Sequence, residues 1–291
     1  MHSLEITKGR EAQVGALSVS RTLPTRGRRT IGAWCFIDQM GPVHLDPTVS
    51  VDVNPHPHCG LSTVTWLFEG EFIHFDSLGT EQKIVPGQLN LMTAGWGVSH
   101  AELDPQHTKR SLHGMQLWIA QDEASRNGQS FFEHQQELPE VDVASGCARV
   151  LIGEFEGTVA PTSLGADLVG LEVQLGAGSR VLPLRREFEY GLVVSKGRAL
   201  AEGEVLAPGT LAYLGSERDE VEITTHETTT LMLLGGRPRD EKLFMWWNFV
   251  ARSQEEITDA YIAWRDRTGR FGDVAIANER IEAAPPYWLH G

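Results

Sequence analysis

The sequence predicts an all-β fold made of two similar antiparallel units, followed by one amphipathic helix near the C-terminus. Three observations lead to this prediction. Most of the 291 residues form short apolar-rich runs separated by Gly, Pro, Asp and Asn, which is typical of β-sandwiches and β-barrels. The second half of the chain repeats a spacing of turns found in the first half. Helical periodicity replaces the short runs after residue 253.

The strands are clearest in the first half of the chain. The stretch STVTWLFEGEFIHFDSLG over 62–79 predicts two strands around a turn at Glu69–Gly70. The stretch QKIVPGQLNLMTAG over 82–95 predicts another pair of strands around a Pro-Gly turn. Such closely spaced short strands favour a sandwich or a barrel over a helix-covered sheet.

Two alignments within the chain suggest an internal repeat. VPGQLNLMTAG at 85–95 matches APGTLAYLGS at 207–216 with an offset of 122, and WLFEGEF at 66–72 matches VVSKGRA at 193–199 with an offset of 127. Two copies of one β-unit explain both matches, and chance similarity between turn-rich strands is the alternative. The polar residues 121–147 are expected to form a loop that contains the join between the copies.

The helix prediction rests on a capping signal and an apolar face. Ser253 followed by Glu256 forms a capping box. The next apolar residues share one face of a helix, and Gly269 is a stop signal; the face comprises Ile257, Ala260, Tyr261 and Trp264. We expect this face to pack on a barrel, since amphipathic helices usually face their own core; an exposed partner-binding helix is the alternative.

Charge and cysteine content exclude several classes of protein. The formal net charge of −14 argues against general binding to nucleic-acid phosphates, which depends on Lys and Arg. Three widely spaced cysteines give no disulfide framework and favour a reducing compartment. The N-terminal stretch has no apolar signal-peptide core, and no window reaches the roughly 18 apolar residues of a membrane span. We therefore expect a cytoplasmic protein that binds neither membranes nor nucleic acid directly.

Two pairs of polar residues are the strongest sign of chemistry. His56 and His58 stand two residues apart in NPHPHCG, and His100 and Glu102 stand two apart in GVSHAEL. Side chains at i and i+2 of a strand point to the same face. If the two strands are neighbours, all four side chains converge on one point. The alternative is that the strands lie apart and the residues are polar corners of loops.

Three imidazoles and one carboxylate suit a transition metal. The set accepts Fe, Cu, Ni, Mn or Zn, and four protein ligands leave one or two positions open in a five- or six-coordinate sphere. Open positions favour catalysis or sensing over a purely structural site.

The segments NPHPHCGLSTVTWLFEGEFIHFDSLG, VPGQLNLMTAGWGVSHAE and LHGMQLWIA resemble the pirin family, a branch of the cupin superfamily. The resemblance runs through most of residues 25–120 and continues more weakly through FEYGLVVSKGRAL and FVARSQEEITDAYIAWRDRTGRFGD. It implies a bicupin, with two antiparallel jelly-roll barrels and a C-terminal helix. We therefore expect an N-terminal cupin barrel with a metal site over 1–140, and a metal-free C-terminal cupin barrel plus the helix over 141–291.

The resemblance also implies a ligand set and a metal. The pirin ligands correspond to His56, His58, His100 and Glu102, and the family's metal is usually iron. One metal ion is expected, because the repeat offsets place no histidine at an equivalent position of the second half. Copper, nickel, manganese and zinc remain alternatives, since the donors accept them.

Several residues depart from the family pattern or have open roles. Pirins usually have His-Arg-Gly-Phe-Glu where this chain has His58-Cys59-Gly60-Leu61-Ser62, so contacts around the metal are expected to differ. Trp96 stands where a polar or basic residue is common, and either lines the pocket mouth or packs in a loop. Cys59 should point away from its neighbouring ligand. His74 and Asp76 share a strand face and either support the ligands or form a satisfied polar pair.

Two functions follow from the resemblance. The first is a quercetin 2,3-dioxygenase type of enzyme, acting on a flavonol-like aromatic substrate and dioxygen, with Glu102 as general base for the substrate hydroxyl. Ring opening would release carbon monoxide. The second is a redox-responsive regulatory protein that binds partner proteins through a metal-dependent surface. A vestigial, metal-free cupin is a third reading, against which the complete ligand set weighs. A monomer is expected in each case.

Overall fold

A computed structural model describes residues 4–105, 110–165 and 167–290 and confirms the all-β class. The first strands in chain order are β1 (Glu5–Lys8), β2 (Arg10–Val14), β3 (Leu17–Leu23), β4 (Trp34–Leu45), β5 (Val53–His58), β6 (Leu61–Glu69), β7 (Phe72–Asp76), β8 (Glu81–Ile84), β9 (Leu89–Thr93), β10 (Val98–Leu103), β11 (Arg110–Ala120), β12 (Phe131–Gln135) and β13 (Glu140–Val143).

The second half continues the same pattern of short strands and ends in helices. The strands are β14 (Gly146–Ile152), β15 (Glu154–Phe155), β16 (Thr158–Val159), β17 (Leu168–Leu175), β18 (Gly178–Pro183), β19 (Glu189–Lys196), β20 (Ala199–Ala201), β21 (Glu204–Leu206), β22 (Thr210–Gly215), β23 (Glu220–Thr225), β24 (Thr229–Gly236), β25 (Phe244–Trp246) and β26 (Phe249–Ala251). The helix α1 spans Gln254–Arg265, and a short 3₁₀ helix spans Tyr287–His290.

The chain divides into two compact units whose segments interleave. One unit comprises residues 1–12, 20–39 and 135–239, and the other comprises 13–19, 40–134 and 240–291. The C-terminal helix thus belongs by compactness to the unit that contains β5 to β11. The expected domain division at residue 140 stays a prediction, although one segment boundary lies close to it.

Each unit is a two-sheet jelly roll. The unit that contains residues 40–134 has a four-stranded sheet in the order β5-β10-β7-β8 and most of a seven-stranded sheet in the order β12-β9-β6-β11-β4-β3-β2. Parts of β2, β3 and β4 and the last residue of β12 are assigned to the other unit. The other unit has a seven-stranded sheet in the order β1-β22-β19-β24-β17-β14-β13 and a four-stranded sheet in the order β18-β23-β20-β21. The order of connections in the four-stranded sheets is the same, which supports an internal repeat over chance similarity.

The predicted strands are present, but their pairing differs from a series of hairpins. β6 pairs with β9 and β11, whereas β7 pairs with β10 and β8. The turn between β6 and β7 therefore carries the chain from one sheet to the other. Gly70 in this turn has a φ of 91°, where a side chain would be strained, and an added Cβ would lie 2.8 Å from the Ser111 carbonyl oxygen.

The unit formed by residues 1–12, 20–39 and 135–239 has an apolar interior. A continuous cluster of buried side chains fills it, drawn from β14, β17 to β24 and the loops between them. Leu171, Leu182, Leu192 and Leu231 are completely buried there. Alternation along the strands explains the cluster, because every second residue of a half-buried strand faces the interior.

The C-terminal helix follows the prediction closely. The Ser253 side chain accepts a hydrogen bond from the Glu256 amide, as in a capping box, but the Glu256 carboxylate reaches the Arg252 amide rather than that of Ser253. The four predicted face residues are buried and pack with Phe249, Phe271 and Cys59 of the same unit. The helix ends at Arg265, before Gly269, which has a φ of 90°.

Among the helices of the described ranges, none has the length and apolar character that a membrane crossing requires.

Candidate metal centre

The two strands that carry the predicted ligands are direct neighbours. β5 and β10 pair antiparallel, with His56 opposite His100 and His58 opposite Val98. The register shifts by one residue between His100 and Glu102, because β5 has one more residue than β10 over this stretch. The condition set by the sequence pattern, that the two strands lie side by side, is therefore met.

Three imidazoles converge on β5 and β10, the two strands at one edge of this four-stranded sheet. One ring nitrogen each of His56, His58 and His100 can be chosen so that all lie within 4.8 Å of one another. The Nε2 atoms of His58 and His100 are 3.1 Å apart. Two nitrogens bound at about 2.1 Å to one metal, at a right angle, would be about 3.0 Å apart, so this spacing suits a shared cation.

Backbone carbonyls orient two of these rings. The Nδ1 atom of His56 lies 2.8 Å from the Asn54 carbonyl oxygen, and the Nδ1 atom of His58 lies 3.1 Å from the Asn248 carbonyl oxygen. A carbonyl only accepts, so each Nδ1 carries the proton and donates it. The Nε2 lone pairs of both rings are thereby left for a ligand, which is the usual arrangement around a bound metal.

Burial keeps the three imidazoles neutral. Burial outweighs the hydrogen bond to the Asn54 carbonyl, which raises the pKa of His56, and together with a small contribution from His74 it lowers that pKa to about 4. Burial also lowers the pKa of His58 and His100 well below the usual value, and the neighbouring imidazoles add to this effect. Neutral imidazoles can donate lone pairs at physiological pH without first losing a proton.

Glu102 lies beside these three histidines, in a second cluster that shares His100 with them. A carboxylate oxygen of Glu102 and one ring nitrogen each of His74 and His100 form a second set within 4.8 Å. Thr65 donates a hydrogen bond to Glu102 Oε1 at 2.9 Å. Burial raises the pKa of Glu102, although His74 and Thr65 partly oppose this. The four predicted ligands are thus contiguous, with His100 common to both sets, and their assignment as metal ligands stays a prediction.

The His74–Asp76 pair, whose role the sequence left open, lies against the ligand set. His74 Nδ1 is 3.3 Å from His100 Nδ1, and His74 Nε2 is 3.1 Å from Asp76 Oδ2. Both residues are 2% exposed. Burial alone would raise the pKa of Asp76, but hydrogen bonds from His74 and Thr80 outweigh it and lower that pKa.

The residues that depart from the family pattern have separate structural roles. Ser62 is buried, and its hydroxyl is 3.1 Å from the Thr93 hydroxyl. Cys59 packs in the aromatic cluster under helix α1, and burial raises the pKa of its thiol to about 11. Trp96 is about half exposed and is covered by the Arg270 guanidinium at 3.8 Å.

Gly60 in the NPHPHCG motif allows a close approach by the C-terminal segment. Its φ is 70°, and an added Cβ would lie 2.0 Å from the Val250 carbonyl oxygen. The Val250 amide donates in turn to the Cys59 carbonyl at 3.1 Å. This contact holds residues 248–250 against β5 and so places the Asn248 carbonyl beside His58.

Two residues that contribute to the site carry no recognisable signal in the sequence. Asn248 supplies only a backbone carbonyl, 190 positions from His58, and no side-chain motif marks such a role. Thr65 lies in an alternating strand, where a threonine is common and carries no separate signal. Thr65 pairs with Gln116 of β11, and this strand pairing is specified by the sheet and by no local sequence motif.

Comparison with known proteins gives consistent relatives across nearly the whole chain. The family model Pirin matches residues 16–119, and the model Pirin C-terminal cupin domain matches residues 170–272. A Pseudomonas aeruginosa protein named "Putative quercetin 2,3-dioxygenase" is 41% identical over 290 residues, covering 99% of this chain and 92% of that protein. A pirin-like protein of Caulobacter vibrioides is 35% identical, covering 88% of this chain and 91% of that protein.

A solved structure agrees with these sequence matches. The crystal structure of quercetin 2,3-dioxygenase from Acinetobacter baumannii superposes with a TM-score of 0.93 at 38% identity, covering 97% of this chain and 95% of that one. The paired histidine strands lie within the region matched by the first family model. On its sequence, its two cupin units and these relatives, the chain belongs to the pirin family.

Proposed function

We propose that this protein is a metal-dependent dioxygenase of the quercetin 2,3-dioxygenase type, acting on a flavonol-like substrate. The observation that carries the proposal is the convergence of three neutral imidazoles and a buried carboxyl group on two paired strands. The relatives that bear this enzyme's name support the choice of reaction over other cupin chemistries.

The donor set fits a transition metal. His56, His58 and His100 would supply nitrogen and Glu102 oxygen, a mixed set that suits first-row metals better than Mg²⁺ or Ca²⁺. We propose one iron ion per chain, with copper, nickel, manganese and zinc as alternatives that the same donors accept. Bound there, the metal would supply Lewis-acid activation of the substrate hydroxyl and a site of contact with dioxygen.

Glu102 is the residue suited to move the substrate proton. Its raised pKa makes the carboxylate a stronger base than an exposed glutamate, and a general base works best when its pKa approaches the working pH. Thr65 holds Oε1, so Oε2 is the oxygen we assign to accept the proton of a flavonol 3-hydroxyl. The product of ring opening would retain both dioxygen atoms, and the excised carbon would leave as carbon monoxide.

The four proposed ligands are all buried but differ slightly in exposure. His58 and His100 are 1% exposed, whereas His56 is 7% and Glu102 is 9% exposed. We therefore place the substrate on the side of His56 and Glu102, next to the proposed base. The other two rings lie deeper, where water is excluded and electrostatic interactions are stronger.

Loading with single metals provides the test. Metal-free protein would be loaded with Fe(II), Cu(II), Ni(II), Mn(II) or Zn(II) and mixed with quercetin in oxygenated buffer. We expect loss of the flavonol absorbance and release of carbon monoxide with at least one metal. Glu102→Gln should lower turnover at least about 100-fold, the usual contribution of a general base, while reducing metal content less than His58→Ala does.

A buried glutamate outside the site gives a matched control. Glu172→Gln removes a carboxylate that pairs with Arg149 in the other unit, and it should leave turnover unchanged. No quercetin consumption with any of the five metals would contradict the flavonol proposal. Partner proteins captured in a redox-dependent manner by the loaded protein would then favour the regulatory alternative.

A further inference from the structure

A line of hydrogen-bonding side chains leads from a carboxylate to a proposed metal ligand. Asp76 Oδ2 lies 3.1 Å from His74 Nε2, and His74 Nδ1 lies 3.3 Å from His100 Nδ1. The other nitrogen of His100, Nε2, faces His58 Nε2 at 3.1 Å. Each ring nitrogen of His74 and His100 therefore has one defined neighbour.

Proton counting allows one arrangement along this line if His100 offers Nε2 to a metal. A neutral imidazole has one N–H donor and one lone pair, so a lone pair on Nε2 places the proton of His100 on Nδ1. His74 Nδ1 must then accept, which places the proton of His74 on Nε2. Asp76 Oδ2, a carboxylate oxygen, accepts that proton and completes the chain.

The Asp76 carboxylate, at the far end of this line, is held in one orientation. Asp76 Oδ1 accepts hydrogen bonds from the amides of Leu78 and Thr80, both at 2.9 Å, so Oδ2 is turned toward His74. The ring of Phe132 stacks on His74 at 4.5 Å and 25°. The carboxylate and the stacked ring together restrict the orientation of the His74 imidazole.

We propose that His74 and Asp76 are positioning residues that set the tautomer of His100, holding its proton on Nδ1 and its lone pair on Nε2 toward the metal. The inference rests on the proposed metal site and extends it to two residues outside the ligand set. In this arrangement His100 donates a hydrogen bond to His74, and His74 donates one to Asp76. Partners of this kind typically contribute 10–100-fold in metal affinity.

Asp76→Asn reverses the chain without removing its hydrogen bonds. The amide oxygen of the asparagine can still accept from Leu78 and Thr80, which places the NH₂ group toward His74. His74 must then accept on Nε2 and carry its proton on Nδ1, facing the Nδ1 proton of His100. We expect His100 to take the other tautomer, with its proton on Nε2, and Zn²⁺ affinity to fall about 10–100-fold.

A pair of His74 variants tests the same idea by a second route. In His74→Asn the side-chain oxygen can occupy the place of Nδ1 and accept from His100, whereas His74→Leu has a similar size and no acceptor. We expect the asparagine variant to keep Zn²⁺ affinity within about threefold of wild type and the leucine variant to lose about 10–100-fold. A purely structural role for His74 would affect both variants alike.

The measurements are made on the full chain. Long-range ¹⁵N NMR spectra of the chelator-treated protein report which nitrogen of each histidine is protonated, and competition with a chelator gives the Zn²⁺ dissociation constant. Asp122→Asn is the matched control, since the Asp122 carboxylate also accepts turn hydrogen bonds, from the amide and hydroxyl of Ser125. This variant should change neither the tautomer of His100 nor the Zn²⁺ dissociation constant.

Two results would overturn the inference. One is a His100 proton on Nε2 in the wild-type spectrum; the other is an unchanged tautomer and affinity in Asp76→Asn and His74→Leu. Failure of the wild-type protein to bind Zn²⁺, Fe(II) or the other loaded metals contradicts the proposed function instead. The tautomer spectrum of the chelator-treated chain still decides the role of Asp76 and His74 in that event.

Discussion

The two four-stranded sheets share one architecture and have opposite interiors. In the order β5-β10-β7-β8 the inward positions carry histidines and a glutamate, whereas in the order β18-β23-β20-β21 they carry mainly apolar side chains. The registers also correspond. His58 faces Val98 and His56 faces His100 in one sheet, and Leu182 faces Val221 and Arg180 faces Ile223 in the other.

This correspondence assigns an equivalent to each proposed ligand. Leu182 takes the position of His58, Ile223 that of His100, and Arg180 and Thr225 those of His56 and Glu102. The simple repeat offsets pointed instead to Pro183, Arg185, Glu222 and Thr224, because insertions in the turns shift each strand separately. Arg180 donates a hydrogen bond to the Thr225 hydroxyl at 3.0 Å, so the two polar side chains of the second sheet bond to each other.

The comparison separates what the fold provides from what the residues provide. Strand alternation directs two pairs of side chains inward in both units. Residue identity then decides whether the interior is a packed apolar core or a cluster of lone pairs that needs a cation. We expect one metal ion per chain for this reason.

The largest effect is expected from His58→Ala. It removes an imidazole whose Nε2 lies 3.1 Å from His100 Nε2, so the remaining donors hold a metal much more weakly. We expect metal content after purification to fall from about one ion per chain to near zero, measured by elemental analysis. Retention of a full equivalent of metal would show that the two histidine strands do not form the site.

The equivalent substitution in the other unit, Leu182→Ala, should lower stability and leave the metal content unchanged. Leu182 is fully buried in the apolar cluster, and truncating such a leucine usually costs about 2–5 kcal/mol of unfolding free energy. Urea denaturation measures this loss, and elemental analysis should find the metal content unchanged. Loss of metal in this variant at equal folded fraction would contradict the division between the units.

A smaller effect is expected from acid on the metal-free protein. Unfolded histidines take up protons below about pH 6.5, but folded His56, with a pKa of about 4, does not, so stability falls as the pH drops from 6.5 toward 4. His56 alone would cost about 2 kcal/mol at pH 5. The raised pKa of Glu102 acts in the opposite sense, because the folded carboxyl binds its proton first.

Thermal unfolding at pH 7 and pH 5 measures this effect. We expect the melting temperature of the chelator-treated protein to fall by about 4–8 °C between the two values. His100→Ile, which installs the residue found at the equivalent position of the other unit, should reduce the fall. A melting temperature that rises on acidification would contradict neutral, buried imidazoles.

The sequence predicted the parts of this molecule that depend on local pattern. Strand alternation placed His56 with His58 and His100 with Glu102, and the 3.6-residue period identified the buried face of helix α1. The family resemblance added the bicupin fold. Both types of signal are contained within short stretches of chain.

The parts that the sequence did not predict depend on distant neighbours. The 121–147 stretch, expected to be a loop, contains β12 and β13 and the start of β14. β12 and β13 are edge strands with polar, partly exposed faces, so their composition resembles that of loops. The crossing from one sheet to the other at Gly70 and the contact between His74 and His100 depend on pairings that no local motif specifies.

The attachment of the C-terminal segment to β5 has a consequence for biosynthesis. Besides Asn248, the amide of Ile281 donates to the Pro55 carbonyl, and the side chains of Asn278 and Asn54 are joined by a hydrogen bond. A ribosome therefore releases the strand of His56 and His58 long before it releases the residues that brace it. We therefore expect the sheet that carries the proposed ligands to reach its final geometry only after residues 248–281 have been synthesised and have packed against β5.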